Sequence, residues 1–302
     1  MALKVILHAG TPKTGTSSLQ LFLHRNREAL LDRGILYPAI GVEALPKPKH
    51  QWMIQGLIAD DPSLFTSTVE RALNEARPDT RTLILSSEGL FHHWWDFPAP
   101  GREALAALAR RLPVSLWVFF REPLGFVSSN YVQMLKNPKR YVPCYGRDLS
   151  VEDMLDDAWF ARHLDYIGYV RDVEGLLGAG SVRPFRYRSD TIGDVLGALG
   201  VEDLEHAALS ENRTVGDFGV ATLRLLNRGD LDAERKAGAV RLIEQLDELM
   251  DGDSRPVTFA AETRNRIRGL AAESVSALRS LYGLDLEVSV DQGVTPVEPA
   301  AL

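Results

Sequence analysis

The sequence predicts a three-layer α/β fold, a central parallel sheet flanked by helices, with a helical extension towards the C-terminus. Three observations carry that expectation. Short apolar runs of strand length alternate with helical patterns, the first run ends in a glycine-bounded turn that opens a helix, and from about 214 the pattern is helical throughout. Unbroken apolar runs, as opposed to alternating ones, belong to strands covered on both faces. Of 302 residues, 45% are hydrophobic and 25% charged, which excludes a disordered, collagen-like or coiled-coil chain. At about 150 residues per domain the length would allow two domains. The pattern instead predicts one α/β domain over 1–284, its helical part at about 214–282, and an extended tail over 285–302.

Lys4-Val5-Ile6-Leu7-His8-Ala9 reads as a buried strand ending at Gly10. The loop Gly10-Thr11-Pro12-Lys13-Thr14-Gly15 follows, and Thr16 to Arg33 reads as one helix stopped by Gly34, with Leu19, Phe22, Leu23 and Leu30 on its apolar face. Leu83-Ile84-Leu85, before Ser86-Ser87-Glu88, is a second strand. Val114 to Phe120 is a third, ending at Arg121-Glu122-Pro123, where proline suits the first helical position. Val182 to Tyr187 is a fourth candidate, between helices at about 161–177 and 190–199. In the C-terminal part, Leu223, Leu225, Leu226, Val240, Leu242, Ile243, Leu246, Ile267, Leu270, Val275, Leu278 and Leu281 recur at helical spacing. Residues 137–150 read as a long loop, the kind of segment that often carries function.

The charge sum is −7, against a general nucleic-acid binder, which needs many Lys and Arg contacts to phosphates. The single Cys144 excludes an intrachain disulfide or a multi-cysteine zinc site, and fits a reducing compartment. The first residues lack a signal-peptide hydrophobic region, and no apolar run approaches the roughly 20 residues that span a bilayer. These features predict a cytoplasmic protein without an integral membrane segment, and leave its oligomeric state open.

The strongest chemical signal is the strand–loop–helix Gly10-Thr11-Pro12-Lys13-Thr14-Gly15-Thr16-Ser17. Successive amides in such a loop, with a helix N-terminus behind them, attract a phosphate-like anion. Lys13 adds a full charge, and Thr14, Thr16, Ser17 and Ser18 add hydroxyls; the competing reading is an ordinary βα turn with a Ser/Thr cap. The two glycines have the spacing of the nucleotide P-loop G-x-x-x-x-G-K-[ST], so the expected architecture is P-loop-like. Thr16, however, stands where the P-loop lysine belongs, and no Asp follows the Leu83–Leu85 run to hold magnesium. The loop suits an anion better than Mg-ATP.

At these residues the sequence resembles the sulfotransferases that use 3′-phosphoadenosine-5′-phosphosulfate (PAPS). Pro12-Lys13-Thr14-Gly15-Thr16-Ser17-Ser18-Leu19 is similar to that family's 5′-phosphosulfate loop. Arg121-Glu122-Pro123, with Ser129 and then Tyr131 in the next helix, is similar to its 3′-phosphate motif. An arginine is a permanent cation with a fork of donors, and Ser129 could reach the same phosphate. The resemblance spans residues 3–20 and 115–136, with weaker likeness at 81–90 and 181–200. The Lys-Thr-Gly-Thr-Ser-Ser form is closer to the bacterial and glycan-modifying branches, and the Arg-Lys-Gly signature of the cytosolic phenol branch is absent. The resemblance implies PAPS as co-substrate, no required metal, and a hydroxyl acceptor, a glycan or glycolipid before a phenol. It implies cofactor contacts from Lys13, Thr14, Gly15, Thr16, Ser17, Ser18, Arg121 and Ser129, with Lys13 also stabilising the bridging oxygen.

Transfer to a hydroxyl needs a base. Glu88, after the second predicted strand, is the first choice, as glycan sulfotransferases similarly use a Glu in this region. His92 and His93 are rivals because histidine titrates near neutrality, and His8 is a weaker one. The seven histidines show no metal-ligand spacing. Trp94 and Trp95 beside the base, Trp52 with His50, and Lys136, Lys139, Arg140, Tyr141 and Arg147 are acceptor-side candidates. Arg183, Arg186 and Arg188 could add positive field. The alternatives are a kinase or nucleotide hydrolase with a displaced lysine, and a nucleotide-binding module without turnover.

Overall fold

The computed structural model describes residues 3–11, 14–42, 48–139, 142–206, 215–251 and 257–287. Five strands, β1 (Lys4–Gly10), β2 (Ile35–Leu36), β3 (Thr82–Ser86), β4 (Val114–Phe120) and β5 (Val182–Arg186), form one sheet in the order β2-β3-β1-β4-β5. Every pairing is parallel, with Val5 opposite Leu83 and Gly10 opposite Phe119. Four of the five strands lie where the apolar runs place them. β2 escapes that reading because two residues carry no period.

Parallel strands need crossovers, and here the crossovers cover both faces. Val5, Leu7, Ala9, Leu83, Leu85, Leu116, Val118 and Phe120 point to one face, into a core shared with the helices Gln51–Ile58, Pro123–Lys136 and Tyr166–Leu177. Ile6, Ile84, Trp117 and Phe119 point to the other, against Leu19 and Leu23 of the helix Thr16–Arg25 and Val195 and Leu196 of the helix Thr191–Leu199. The predicted helix 16–33 is broken at Asn26, whose φ of −100° and ψ of 14° interrupt it; Arg27–Leu31 resumes as a separate turn.

The crossovers also place the site. The chain leaves β1 on one face and returns on the β3 side, whereas it leaves β4 on the opposite face and returns as β5. Their carboxyl ends therefore diverge, and such a divergence opens the crevice in which α/β sheets bind ligands.

The C-terminal part is helical, as its pattern predicts: Asp217–Leu226, Ala233–Asp251 and Ala261–Tyr282. The last of these packs against Tyr166–Leu177 and Pro123–Lys136. Only part of the apolar set turns inward. Leu223, Val240, Ile243, Ile267 and Leu278 are buried, whereas Leu225, Leu242, Leu246, Leu270 and Leu281 are exposed. Among the described residues no helix is long and apolar enough to cross a membrane, and no group of three or more His, Cys, Asp or Glu could hold a metal ion.

His8 and His50 are buried beneath the carboxyl edge, and burial lowers each to about 4. His50 accepts from the Ser86 N–H at 3.0 Å, and its Nε2 lies 3.1 Å from the Pro38 carbonyl, which selects the neutral Nε2–H form. The unfolded chain takes up protons at these positions first as pH falls, so stability is complete above about 6.5 and is lost towards about 4. The thermal midpoint should fall across that window; a flat midpoint between pH 6.5 and 4 would show that both rings are exposed in solution.

Candidate active site

The first loop is anchored to the sheet before it turns. The Thr11 N–H donates to the Phe119 carbonyl at 3.1 Å and its hydroxyl to the same oxygen at 3.2 Å. The Thr14 hydroxyl donates back to the Thr11 carbonyl at 2.7 Å. Gly15 is the N-cap of the helix Thr16–Arg25, with φ 71°; among the described residues no side chain caps this helix start, which leaves its first-turn amides open to an anion. Gly10 is required by close approach: a Cβ there would lie 2.6 Å from Thr16 Oγ1 and 2.8 Å from Thr14 Oγ1. Lys13 and Pro12 lie outside the described residues.

Arg121 follows β4, the strand beside β1. Its Nη1–H donates to Ser129 Oγ at 2.7 Å, so the residues eight apart in sequence do meet. The guanidinium lies over the Tyr187 ring, 5.4 Å from its centroid, and the Tyr166 hydroxyl donates to the Arg121 carbonyl at 3.1 Å. Glu122 caps the following helix, accepting from the Leu124 N–H at 2.9 Å and from that of Gly125. Backbone and side chain of Arg121 are thus both held.

Glu88 lies beyond β3, on the other side of β1. Gln20, one turn into the helix that follows the loop, donates from Nε2 to Ser86 Oγ at 3.1 Å and to Glu88 Oε2 at 3.3 Å. Lys49 Nζ lies 3.5 Å from Oε1. Burial alone would raise the Glu88 carboxyl, but the Lys49 charge, with Gln20 and a backbone donor, holds it below the usual value. With 34% of its side chain exposed, Glu88 is an ionised carboxylate that solvent can reach.

The histidine rivals lie nearby, each held by groups other than the Glu88 carboxylate. His92 is buried with its Nε2 2.7 Å from the Tyr145 hydroxyl, and burial holds it well below its ordinary value. Its ring packs against those of His93, Trp159 and His163. His93 Nδ1 lies 3.1 Å from Asp96, which also accepts from Arg162 at 2.8 Å. His8 Nδ1 lies 2.7 Å from Ser86 Oγ. Trp94 is buried and donates to Asp172 at 2.6 Å; His50 and Trp52 are also core residues. Lys136 pairs with Glu244 at 2.8 Å and Lys139 reaches Asp230 at 3.4 Å, so both face the C-terminal helices. Arg140 and Tyr141 lie outside the described residues. Arg188 pairs with Asp194 at 3.0 Å, and Arg183 covers the Trp117 and Phe185 rings.

Three site residues were not read from the sequence. Gln20 had a signal, a glutamine interrupting the apolar face beside Leu19. Lys49, distant from Glu88 along the chain, and Tyr187 beneath Arg121 had none.

No protein-family model matches the chain, and no curated protein matches it in sequence. Among solved structures it is similar to a sulfotransferase from Alicyclobacillus acidocaldarius, with a TM-score of 0.51 and 14% identity over 95% of this chain and 98% of that one. The likeness extends over nearly the whole length of both chains and shows a shared α/β fold. A structure from the PezAT toxin–antitoxin system of Streptococcus pneumoniae aligns at a TM-score of 0.33 and 13% identity, over 83% of this chain and 88% of that one.

The Lys49–Glu88 pair predicts a pH effect. Lys49→Met removes the charge that favours the carboxylate while burial stays, so the Glu88 carboxyl rises. If Glu88 is the base, the acid limb of the rate profile should move to higher pH in this variant; an unmoved limb would separate the titration from Glu88.

Proposed function

We propose that this chain is a sulfotransferase, moving the sulfuryl group of PAPS to an acceptor hydroxyl and leaving adenosine 3′,5′-bisphosphate. The observation that carries the reading is the pairing of two anion-binding elements at the diverging ends of adjacent strands. One is the uncapped, glycine-hinged helix start after β1; the other is the Arg121–Ser129 pair after β4. A co-substrate with phosphate groups at both ends suits two such elements. The fold shared with a bacterial sulfotransferase supports the same reading.

In this reading the amides of Gly15 to Ser17, with the hydroxyls of Thr14, Thr16, Ser17 and Ser18, hold the phosphosulfate end, and Arg121 with Ser129 holds the 3′-phosphate. PAPS supplies an activated sulfuryl group with a phosphate leaving group. Glu88 accepts the acceptor's proton as the hydroxyl oxygen bonds to sulfur, and the sulfur–oxygen bond to the phosphate breaks with its electron pair leaving on the phosphate. Lys13, assigned from the sequence, neutralises the charge that develops on that oxygen. Gln20 and Lys49 keep Glu88 ionised and aimed. The acceptor class is a carbohydrate or glycoconjugate, from the resemblance of the loop to the glycan-modifying branch. No metal enters the scheme.

Thermal stability in the presence of adenosine 3′,5′-bisphosphate, AMP and Mg-ATP tests the reading directly. The bisphosphate at about 100 times its dissociation constant should stabilise the fold by about 2.7 kcal/mol, and Arg121→Ala or Lys13→Ala should each shrink that gain. Stabilisation by Mg-ATP alone would identify a kinase or nucleotide hydrolase instead.

Glu88→Gln should keep the bisphosphate response and lower labelled-sulfate transfer to a panel of mono- and oligosaccharides, with p-nitrophenol as phenolic comparator, by about 10²–10⁴-fold. Full transfer by this variant would move the base to His92 or His93. Binding with no transfer to any acceptor would mark a nucleotide-binding module.

A further inference from the structure

The segment 142–149 has no helix or strand of its own, yet it is tied down along its length. The Gly146 N–H donates to the Met134 carbonyl at 2.9 Å. Its φ is 63°, and a Cβ there would lie 2.6 Å from Lys139 N and 2.7 Å from the Asn137 carbonyl. The Tyr131 hydroxyl donates to the Leu149 carbonyl at 2.9 Å. Asp148 accepts from Arg224 Nε on one oxygen and from Arg228 Nε on the other, each at 2.8 Å.

Asn227 bridges the base of this segment. Its Nδ2 donates to the Leu135 carbonyl before the segment and to the Arg147 carbonyl within it, both at 3.1 Å. Its Oδ1 accepts from Lys236 Nζ at 2.5 Å. An ammonium has donors only, so Lys236 dictates which way the amide faces: oxygen towards the lysine, nitrogen towards the two carbonyls. Asn227 is 5% exposed and Lys236 4%. Burying an ammonium is costly, and an apolar pair of similar volume would fill the space without setting the amide's direction.

The segment delivers Tyr145 to His92, at 2.7 Å. His92 lies one turn beyond Glu88, and its N–H donates to the Glu88 carbonyl at 3.2 Å. We propose that Asn227 and Lys236 are positioning residues for sulfuryl transfer, fixing the segment 142–149 against the turn that carries Glu88 and so setting how the acceptor approaches the base. This rests on the sulfotransferase reading. It assigns the C-terminal helices the task of holding the acceptor-side wall.

Asn227→Asp keeps an oxygen for Lys236 but turns a carboxylate towards two carbonyls, which opens the bridge. Lys236→Met keeps the length and removes the group that orients the amide. In both variants hydrogen exchange over 142–149 should accelerate by about tenfold while β1 and β3 stay protected. The KM for the fastest saccharide of the panel should rise by about tenfold, with stabilisation by adenosine 3′,5′-bisphosphate unchanged. Faster exchange with an unaltered acceptor KM, or unaltered exchange in both variants, overturns the positioning role alone. A wild-type protein that the bisphosphate does not stabilise overturns the sulfotransferase reading, and this proposal with it.

Discussion

Neutral backbone amides hold an anion well only where no side chain already satisfies them and where the backbone can come close. Gly15 provides the first condition, an N-cap in left-handed conformation with no capping side chain among the described residues, and Gly10 provides the second, since any Cβ would strike Thr14 and Thr16. Neither glycine would make a site alone. Thr11, bound twice to the Phe119 carbonyl, pins the start of the loop to β4, so the helix start and the Arg121 turn share one rigid edge. The order β2-β3-β1-β4-β5 is what brings the two cationic or partly cationic elements side by side.

The carboxylate partner is built on the same economy of attachment. Gln20 joins the helix behind the loop to Ser86 and Glu88, and Lys49 offsets the cost of partly burying the Glu88 charge. A carboxylate kept ionised in this way can accept a proton from a group placed beside it, the property the proposed role of Glu88 requires. The nearby histidines occupy a different setting. His92, His93 and His163 pack with Tyr145, Trp159 and Asp96, where burial disfavours charge on His92 and His163. That cluster joins the turn after β3 to the helices that follow β4.

Legibility differed between elements for identifiable reasons. β1 and β4 were plain because seven-residue strands covered on both faces must be apolar almost throughout. β2, two residues long, had no such signature. In the C-terminal helices the period was correct, yet it could not separate Val240 and Ile243, which are buried, from Leu242 and Leu246, which are exposed; two adjacent apolar stripes look alike until a neighbour covers one. The Arg121–Ser129 pair was legible through the resemblance of its motif to the sulfotransferases, since an arginine and a serine eight apart carry little on spacing alone; the structure brings the two side chains together.

What the chain's own order determined is therefore everything that local geometry transmits: the strand–loop–helix start and the glycines that allow it. The tertiary structure alone decided which distant groups meet at Glu88, at Arg121 and beneath the segment 142–149. Lys49 reaches Glu88, Tyr187 lies beneath Arg121, and Lys236 orients Asn227 under the segment that carries Tyr145. The first two meet across strands and long loops, and the third across a turn between helices. No spacing rule encodes such contacts, because packing on the sheet sets them and local periodicity does not.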